Sequence, residues 1–291
     1  MPLGDINDYI SSVKSRVDFY IEQYYSERKS SIPELLYEVI NYAVFPGGKM
    51  LRPALLLGFC EEMGADSQRA LPVASAIELI HTFSLIHDDL PCMDNDDFRR
   101  GKEAVHKKYT EALALLSGDA LLADSFGMVA GASSLSDEIK CRIIKLISEY
   151  VGSSGMIGGQ VIDIESSHHL KESDYYKLIK LKTANMFILS SLSGAICSEK
   201  RFVEEDILRF GENFGILFQY TDDIIDYSQD KKGSFNIVER RGFLTVYDQI
   251  YKIYKELVSF IESSKFNMGI LRGIVDVVLK RAESAKNAAG V

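Results

Sequence analysis

Proline and cysteine are both scarce in this chain of 291 residues, which holds six of the first and four of the second. Few prolines, together with 26% charged and 46% hydrophobic residues, exclude a disordered or fibrous chain and leave enough apolar material for a substantial core. The cysteines Cys60, Cys92, Cys141 and Cys197 stand far apart, with no CxxC or zinc-finger spacing. They read as reduced thiols, most of them buried, and not as a disulfide framework. No apolar run reaches the roughly 18 residues of a membrane span. The first residues, MPLGDINDYISSVKSR, lack the apolar stretch of a signal peptide. A soluble, cytoplasmic protein with no membrane span is therefore expected. Basic residues are also in deficit: 33 Lys and Arg face 42 Asp and Glu, for a formal charge of −9. That balance argues against nucleic acid as a partner, because such binding rests on neutralising phosphates. An acidic chain that handles anionic substrates must supply cations locally, as metal or as a few placed Lys and Arg.

Strict two-residue alternation never persists long enough for a sheet, and no linker, low-complexity stretch or repeat divides the chain. Helical periodicity runs through almost all of it. In LPVASAIELIHTFSLIHDD, apolar residues crowd nearly every face, which marks a central, buried helix. The expectation is an all-α fold, a single domain over residues 1–291 with about a dozen helices.

That buried helix ends in Asp88-Asp89-Leu-Pro-Cys-Met-Asp94-Asn-Asp96-Asp97. Carboxylates so close repel one another and are costly to hold without cations. Pro91 stops the helix, which lets Asp94 turn back toward Asp88. A solvated acidic loop is the alternative for this run taken alone. A second cluster weakens that alternative. In FQYTDDIIDYSQD, Asp222 and Asp226 share one helix face, about 6 Å apart along the axis, and Asp223 neighbours Asp226. Two apolar helices each ending in carboxylates suggest a metal cage across a cavity. Oxygen ligands favour Mg, with Mn as the other candidate, over Zn. Mg binds substrate phosphates with one or two carboxylates, so the pair predicts a diphosphate ligand.

Cations accompany these clusters. In FPGGKMLRP, Gly47 and Gly48 free the backbone for close approach, and Lys49 and Arg52 lie three apart at a helix start. An ordinary turn before a solvated helix is the other reading. Arg99 and Arg100 directly follow the first acidic run; they serve phosphates or simply balance the aspartates. His81 lies two helical turns before Asp88 on the same face, as a satisfied core histidine or part of the site. His87-Asp88 is also the pair found in metal-dependent HD phosphohydrolases, but that reading leaves Asp222, Asp226 and GGKMLRP without a role. The pair His168-His169 reads as an exposed loop.

Six segments in order, GGKMLRP, ELIHTFSLIHDDLPCMDNDDFRRG, LSGDALL, GGQVIDIE, LKTANMF and FQYTDDIIDYSQD, resemble the trans-prenyl diphosphate synthases, specifically the bacterial farnesyl diphosphate synthase group. The resemblance implies a helical bundle around a deep central cavity, working as a homodimer on isoprenoid diphosphates. It implies Mg on Asp88, Asp89 and Asp94 of the first motif and on Asp222, Asp223 and Asp226 of the second. Lys49, Arg52, His81 and Arg100 would bind isopentenyl diphosphate. Arg99, Lys182, Thr183 and Gln219 would contact the allylic diphosphate, as would Lys232, which stands near where the family commonly shows a Gly-Lys pair. The implied chemistry is ionisation, condensation and elimination, with charge stabilised as the diphosphate leaves. Phe83 and Ser84, five and four residues before Asp88, would set chain length, and a ring at 83 implies a C15 product. A C20 product, a class I terpene cyclase and a non-catalytic partner subunit are the competing readings.

Overall fold

A computed structural model describes residues 3–45, 47–166, 172–228 and 236–290. The helices in chain order are α1 (Leu3–Arg28), α2 (Glu34–Val44), α3 (Leu51–Glu62), α4 (Leu71–Asp88), α5 (Val105–Lys108), α6 (Glu111–Ala130) and α7 (Asp137–Val151). They continue with α8 (Met156–Ser166), α9 (Glu172–Ile179), α10 (Asn185–Cys197), α11 (Glu204–Ser228), α12 (Ile237–Arg241), α13 (Phe243–Ser263) and α14 (Gly269–Ala289). The all-α expectation holds. α5 and α12 are single turns, and the one exception to helix among the described residues is a two-stranded antiparallel ribbon, β1 (Phe98–Arg99) with β2 (Lys102–Glu103).

Local chemistry explains the boundaries. Thr110 and Ser136 accept hydrogen bonds from the backbone N–H of Leu113 and Ile139, capping α6 and α7. Met50 takes a left-handed conformation (φ 55°) that swings the GGK segment into α3. Pro72 lies in the first turn of α4, and Pro91 stands three residues past its end.

The core is one continuous cluster of buried side chains drawn from α1 through α14. Every residue of α10 is buried, as are the first ten residues of α4. α4 packs on α6 and α3, α10 on α3 and α11, and α11 on α13 and α14. Each fully buried Leu or Phe contributes about 1.5–3 kcal/mol. Two segments, Ser67–Asp88 and α6, are by length and composition apolar enough to cross a membrane, although charged residues interrupt both. Only 39% of the apolar window of α6 is buried, against 78% for Ser67–Asp88, so α4 is a core helix and α6 leaves an apolar face outside.

Candidate active site

The last two turns of α4 present His81, Ser84 and Asp88 on one side. Beyond the helix the chain folds back: Met93 N–H donates to Leu90 O at 2.9 Å, and Asp94 N–H to Asp88 O at 2.9 Å. Asp94 thus returns beside Asp88, as Pro91 suggested. Burial pushes the Asp88 carboxyl up to about 6; Asp94 adds to the shift, and the Lys182 ammonium opposes it.

Asp88 lines a cavity of about 280 Å³ together with Arg52, His81, Phe83, Ser84, Lys182 and Thr183. α8 closes another side with Met156, Ile157 and Gln160. Lys182 and Thr183 reach the cavity through a π-helical turn, Lys180–Ala184, inserted between α9 and α10. One residue per turn is added there, which redirects side chains, and such insertions recur at functional sites. Lys182 Nζ donates to Asp163 of α8 at 2.5 Å. Thr183 Oγ1 donates to Gln219 Oε1 at 2.9 Å, and Gln219 Nε2 to Asp223 Oδ1 at 3.0 Å, which ties the π turn to α11.

The cationic side is equally connected. Arg52 donates to His81 Nε2 at 3.4 Å and lies 4.6 Å from the centre of the Phe187 ring. Burial lowers the Arg52 pKa to about 10, with Glu78 and Asp222 holding its charge. Burial and the guanidiniums of Arg52, Arg100 and Arg99 keep His81 well below the usual histidine range, so its ring is neutral. Arg100 donates to Glu78 Oε1 at 3.4 Å. The Arg100 guanidinium lies against Gly48, where any Cβ would meet it. Lys49 adds its charge to the surroundings of Asp222. The structure therefore gathers Lys49, Arg52, His81 and Arg100, drawn from three separate segments. Arg52 lines the cavity and also feels the charge of Asp222, so the second acidic group lies within electrostatic reach of the gathered cations.

Among the described residues no three acidic, histidine or cysteine side chains stand ready-gathered as metal ligands. Asp88 with Asp94, and Asp222 beside Asp226, offer only carboxylate oxygens in partly dry surroundings, a set that fits a hard divalent cation such as Mg. Asp222 also accepts from Arg281 Nη2 of α14 at 2.6 Å.

Asp89 and Asp223, also expected as ligands, each accept hydrogen bonds from protein donors. Asp89 is 2% exposed and accepts from Arg99 Nε at 2.7 Å. Asp223 is 6% exposed; it accepts from the Tyr175 hydroxyl, Gln219 and the Ile237 N–H, and burial pushes it up to about 6. Both are buried and accept from protein donors, as Asp222 does from Arg281. Arg99, expected at the allylic diphosphate, bridges Asp89 and Asp96. Phe83 is buried on the cavity wall, edge-on to His87 at 5.3 Å. Ser84 Oγ donates to His81 O. Lys232, His168 and His169 lie outside the described residues.

Four participants escaped the sequence reading. Glu78 and Asp163 each stand in an otherwise apolar stretch of helix, which was the available signal. Arg281 and Tyr175 had none, since their roles arise from tertiary packing.

An apolar-walled pit, with paired carboxylates and gathered cations around it, is the geometry of a prenyl-transfer site. The Polyprenyl synthetase family profile matches residues 33–235, and the chain belongs to that family. It is an enzyme, a prenyltransferase. It is 41% identical over 202 residues to a farnesyl diphosphate synthase of Micrococcus luteus, covering 69% of this chain and 68% of that one. It is 42% identical over 209 residues to the chloroplastic heterodimeric geranylgeranyl pyrophosphate synthase large subunit 1 of Arabidopsis thaliana, covering 69% of this chain and 56% of that one. The fold superposes on an FPP/GFPP synthase of Zymomonas mobilis with a TM-score of 0.87 at 30% identity, over 95% of this chain and 100% of that one.

Proposed function

We propose that this prenyltransferase joins isopentenyl diphosphate to dimethylallyl or geranyl diphosphate and releases farnesyl diphosphate and diphosphate. One observation carries the reading: Arg52, His81, Phe83, Asp88, Lys182 and Thr183 line a single cavity, with acid, cation and aromatic wall in one space. Asp88 and Asp94, with Asp222 and Asp226 opposite, would hold Mg against the allylic diphosphate. When bound, Mg supplies positive charge to the departing diphosphate. Lys182 and Arg99 add theirs, and the remaining allylic cation is offered oxygens by Thr183 and Gln219. Lys49, Arg52 and Arg100 hold isopentenyl diphosphate, with neutral His81 accepting from Arg52, so that its alkene faces the cation. A proton then leaves to the released diphosphate. Met156, Ile157 and Phe83 keep water from the cation. Asp89 serves by fixing Arg99, and Asp223 by fixing Gln219.

Phe83 ends the pit at three isoprene units. A C20 product is the second reading, favoured by the similarity to the plant large subunit. The exposed apolar face of α6, with Leu115 48% and Leu116 56% exposed, supports a homodimer.

The test incubates the chain with Mg, isopentenyl diphosphate and each allylic starter, then measures product length. Farnesyl diphosphate is expected, with turnover abolished by EDTA and restored by Mg. Mainly C20 product refutes the length assignment, and product formed without isopentenyl diphosphate points to a cyclase. Phe83→Ala is expected to shift product toward C20. An unchanged distribution would reduce Phe83 to core packing.

A further inference from the structure

A second and larger concavity opens at the other end of α11. Its floor and rim come from the α10–α11 connection, the first half of α11, the last turns of α13 and the connection to α14. Its volume is about 800 Å³, in the range of small-molecule sites. Asp206 of its rim and Asp222 of the candidate active site are sixteen residues apart on α11, about 24 Å along the axis.

Two features coincide there. The floor is apolar: Met63, Ile207, Phe210, Leu257 and Met268 are all at most 4% exposed yet border the space. The rim carries three cations, Arg201, Arg209 and Lys265, all exposed. Among the described residues none of the three forms an ion pair, and Lys265 Nζ instead lies 5.0 Å from the centre of the Phe266 ring. The rim also carries two carboxylates, Asp206 and Glu256, so three cations against two leave it one positive charge. Glu256 accepts from Asn213 at 3.2 Å, and Asp206 stands in the first turn of α11, where the helix's positive end offsets it. In a chain of formal charge −9, a rim of three cations and two carboxylates around one apolar basin is a local inversion of sign.

We infer that this groove is a second binding site, for an anionic amphiphile with an unbranched or prenyl carbon tail and a phosphate-type head. The tail lies on Phe210, Leu257 and Met268, and Arg209 and Lys265 take the head. Tail burial supplies the apolar driving force, and the head gains charge-assisted hydrogen bonds. A prenyl diphosphate and a fatty-chain phosphate share this chemistry. The prenyl source rests on the proposed reaction, while the groove itself does not.

The chain contains no tryptophan, so Ser259→Trp places a unique fluorophore on the rim. The reporter is titrated in EDTA with farnesyl diphosphate, dodecyl phosphate and inorganic diphosphate. Both amphiphiles are expected to blue-shift the emission, whereas inorganic diphosphate leaves it unchanged. The tighter of the two identifies the source. Adding Arg209→Glu and Lys265→Glu is expected to weaken binding by about tenfold or more. Calorimetry on the unmutated chain, against the Arg209→Glu/Lys265→Glu variant without the reporter, repeats the comparison free of the added ring. Equal affinities in that comparison, or an inorganic diphosphate response as strong as the amphiphiles', overturn the inference. Turnover separates the two ideas: an inactive chain with a normal reporter response refutes the proposed reaction and leaves the groove. An active chain whose binding ignores the charge reversal refutes the groove alone.

Discussion

Glu78 is 2% exposed on α4, with Arg100 at 3.4 Å and the charge of Arg52 also upon it. Burial pushes its carboxyl up, and the two guanidiniums pull it back. The carboxylate holds both cations in position, so its removal leaves them half-buried and mutually repelling. Glu78→Leu is expected to cost about 3–5 kcal/mol in denaturant unfolding, the scale for breaking a buried pair from one side. Glu78→Gln keeps the shape and one acceptor. It should raise KM for isopentenyl diphosphate about tenfold with little change in kcat. A fall in kcat with KM unmoved would contradict the assignment of Arg52 and Arg100 to that substrate. The residue scale also marks how far the sequence could be read. The spacing of Asp88, Asp94, Asp222 and Asp226 is visible in one dimension because helix geometry and Pro91 decide which face each takes. What sets the surroundings of Asp89 and Asp223 apart from those of Asp88 and Asp222 is not visible. It depends on Arg99 from the ribbon and on Tyr175 and Ile237 from distant segments, which satisfy Asp89 and Asp223.

At the scale of elements, the π turn Lys180–Ala184 is seated against Gly215 of α11, where a Cβ would collide with the Cα and Cβ of Ala184. Gly215→Ala must therefore push the turn outward and carry Lys182 and Thr183 with it. Overpacking of this kind costs about 1–3 kcal/mol. The expected signature is a kcat loss larger than the loss of folded protein, checked by circular dichroism beside turnover; a parallel loss of both would make the contact purely structural. A second junction joins α3 to α14: Glu62 accepts from the backbone N–H groups of Ile270 and Leu271. Burial nevertheless pushes its pKa from 4.5 to about 7. In that window the folded protein keeps a proton that the unfolded chain releases, so this group's contribution to stability falls as pH rises from 4.5 toward 7. The Tm of the natural chain minus that of Glu62→Gln should decline over this interval. A flat difference would mean the two backbone donors hold the carboxylate at its ordinary pKa. The helices were legible because apolar spacing of 3.6 residues repeats over several turns. The ribbon β1–β2 and the π turn were not, since two-residue strands and a single inserted residue leave no period to detect.

For the whole molecule, the unbalanced feature is α6. Its inner side carries Ala114, Ser117, Leu121, Ser125 and Met128 into the core, while Leu115 and Leu116 stay 48% and 56% exposed beside exposed Ala112 and Ala123. An apolar helix face of this length, interrupted by exposed Asp119, is costly to leave in water, and a two-fold partner presenting the same face would cover it. A stable interface needs about 800 Å² from each partner, more than these side chains offer alone, so flanking elements must contribute too. Leu116→Glu places a charge near the centre of the contact, where an unpaired charge is penalised most, and it touches nothing in the core. Sedimentation is expected to show a dimer for the natural chain and a monomer for the variant at the same concentration. α6 also braces the pit, because His87 Nε2 lies 3.1 Å from Leu115 O and the His87 ring packs on both Gly118 and Phe83. The monomer should accordingly give a broader product distribution, with the Phe83 wall less well supported. A monomeric natural chain, or a variant that remains dimeric, would place the interface elsewhere.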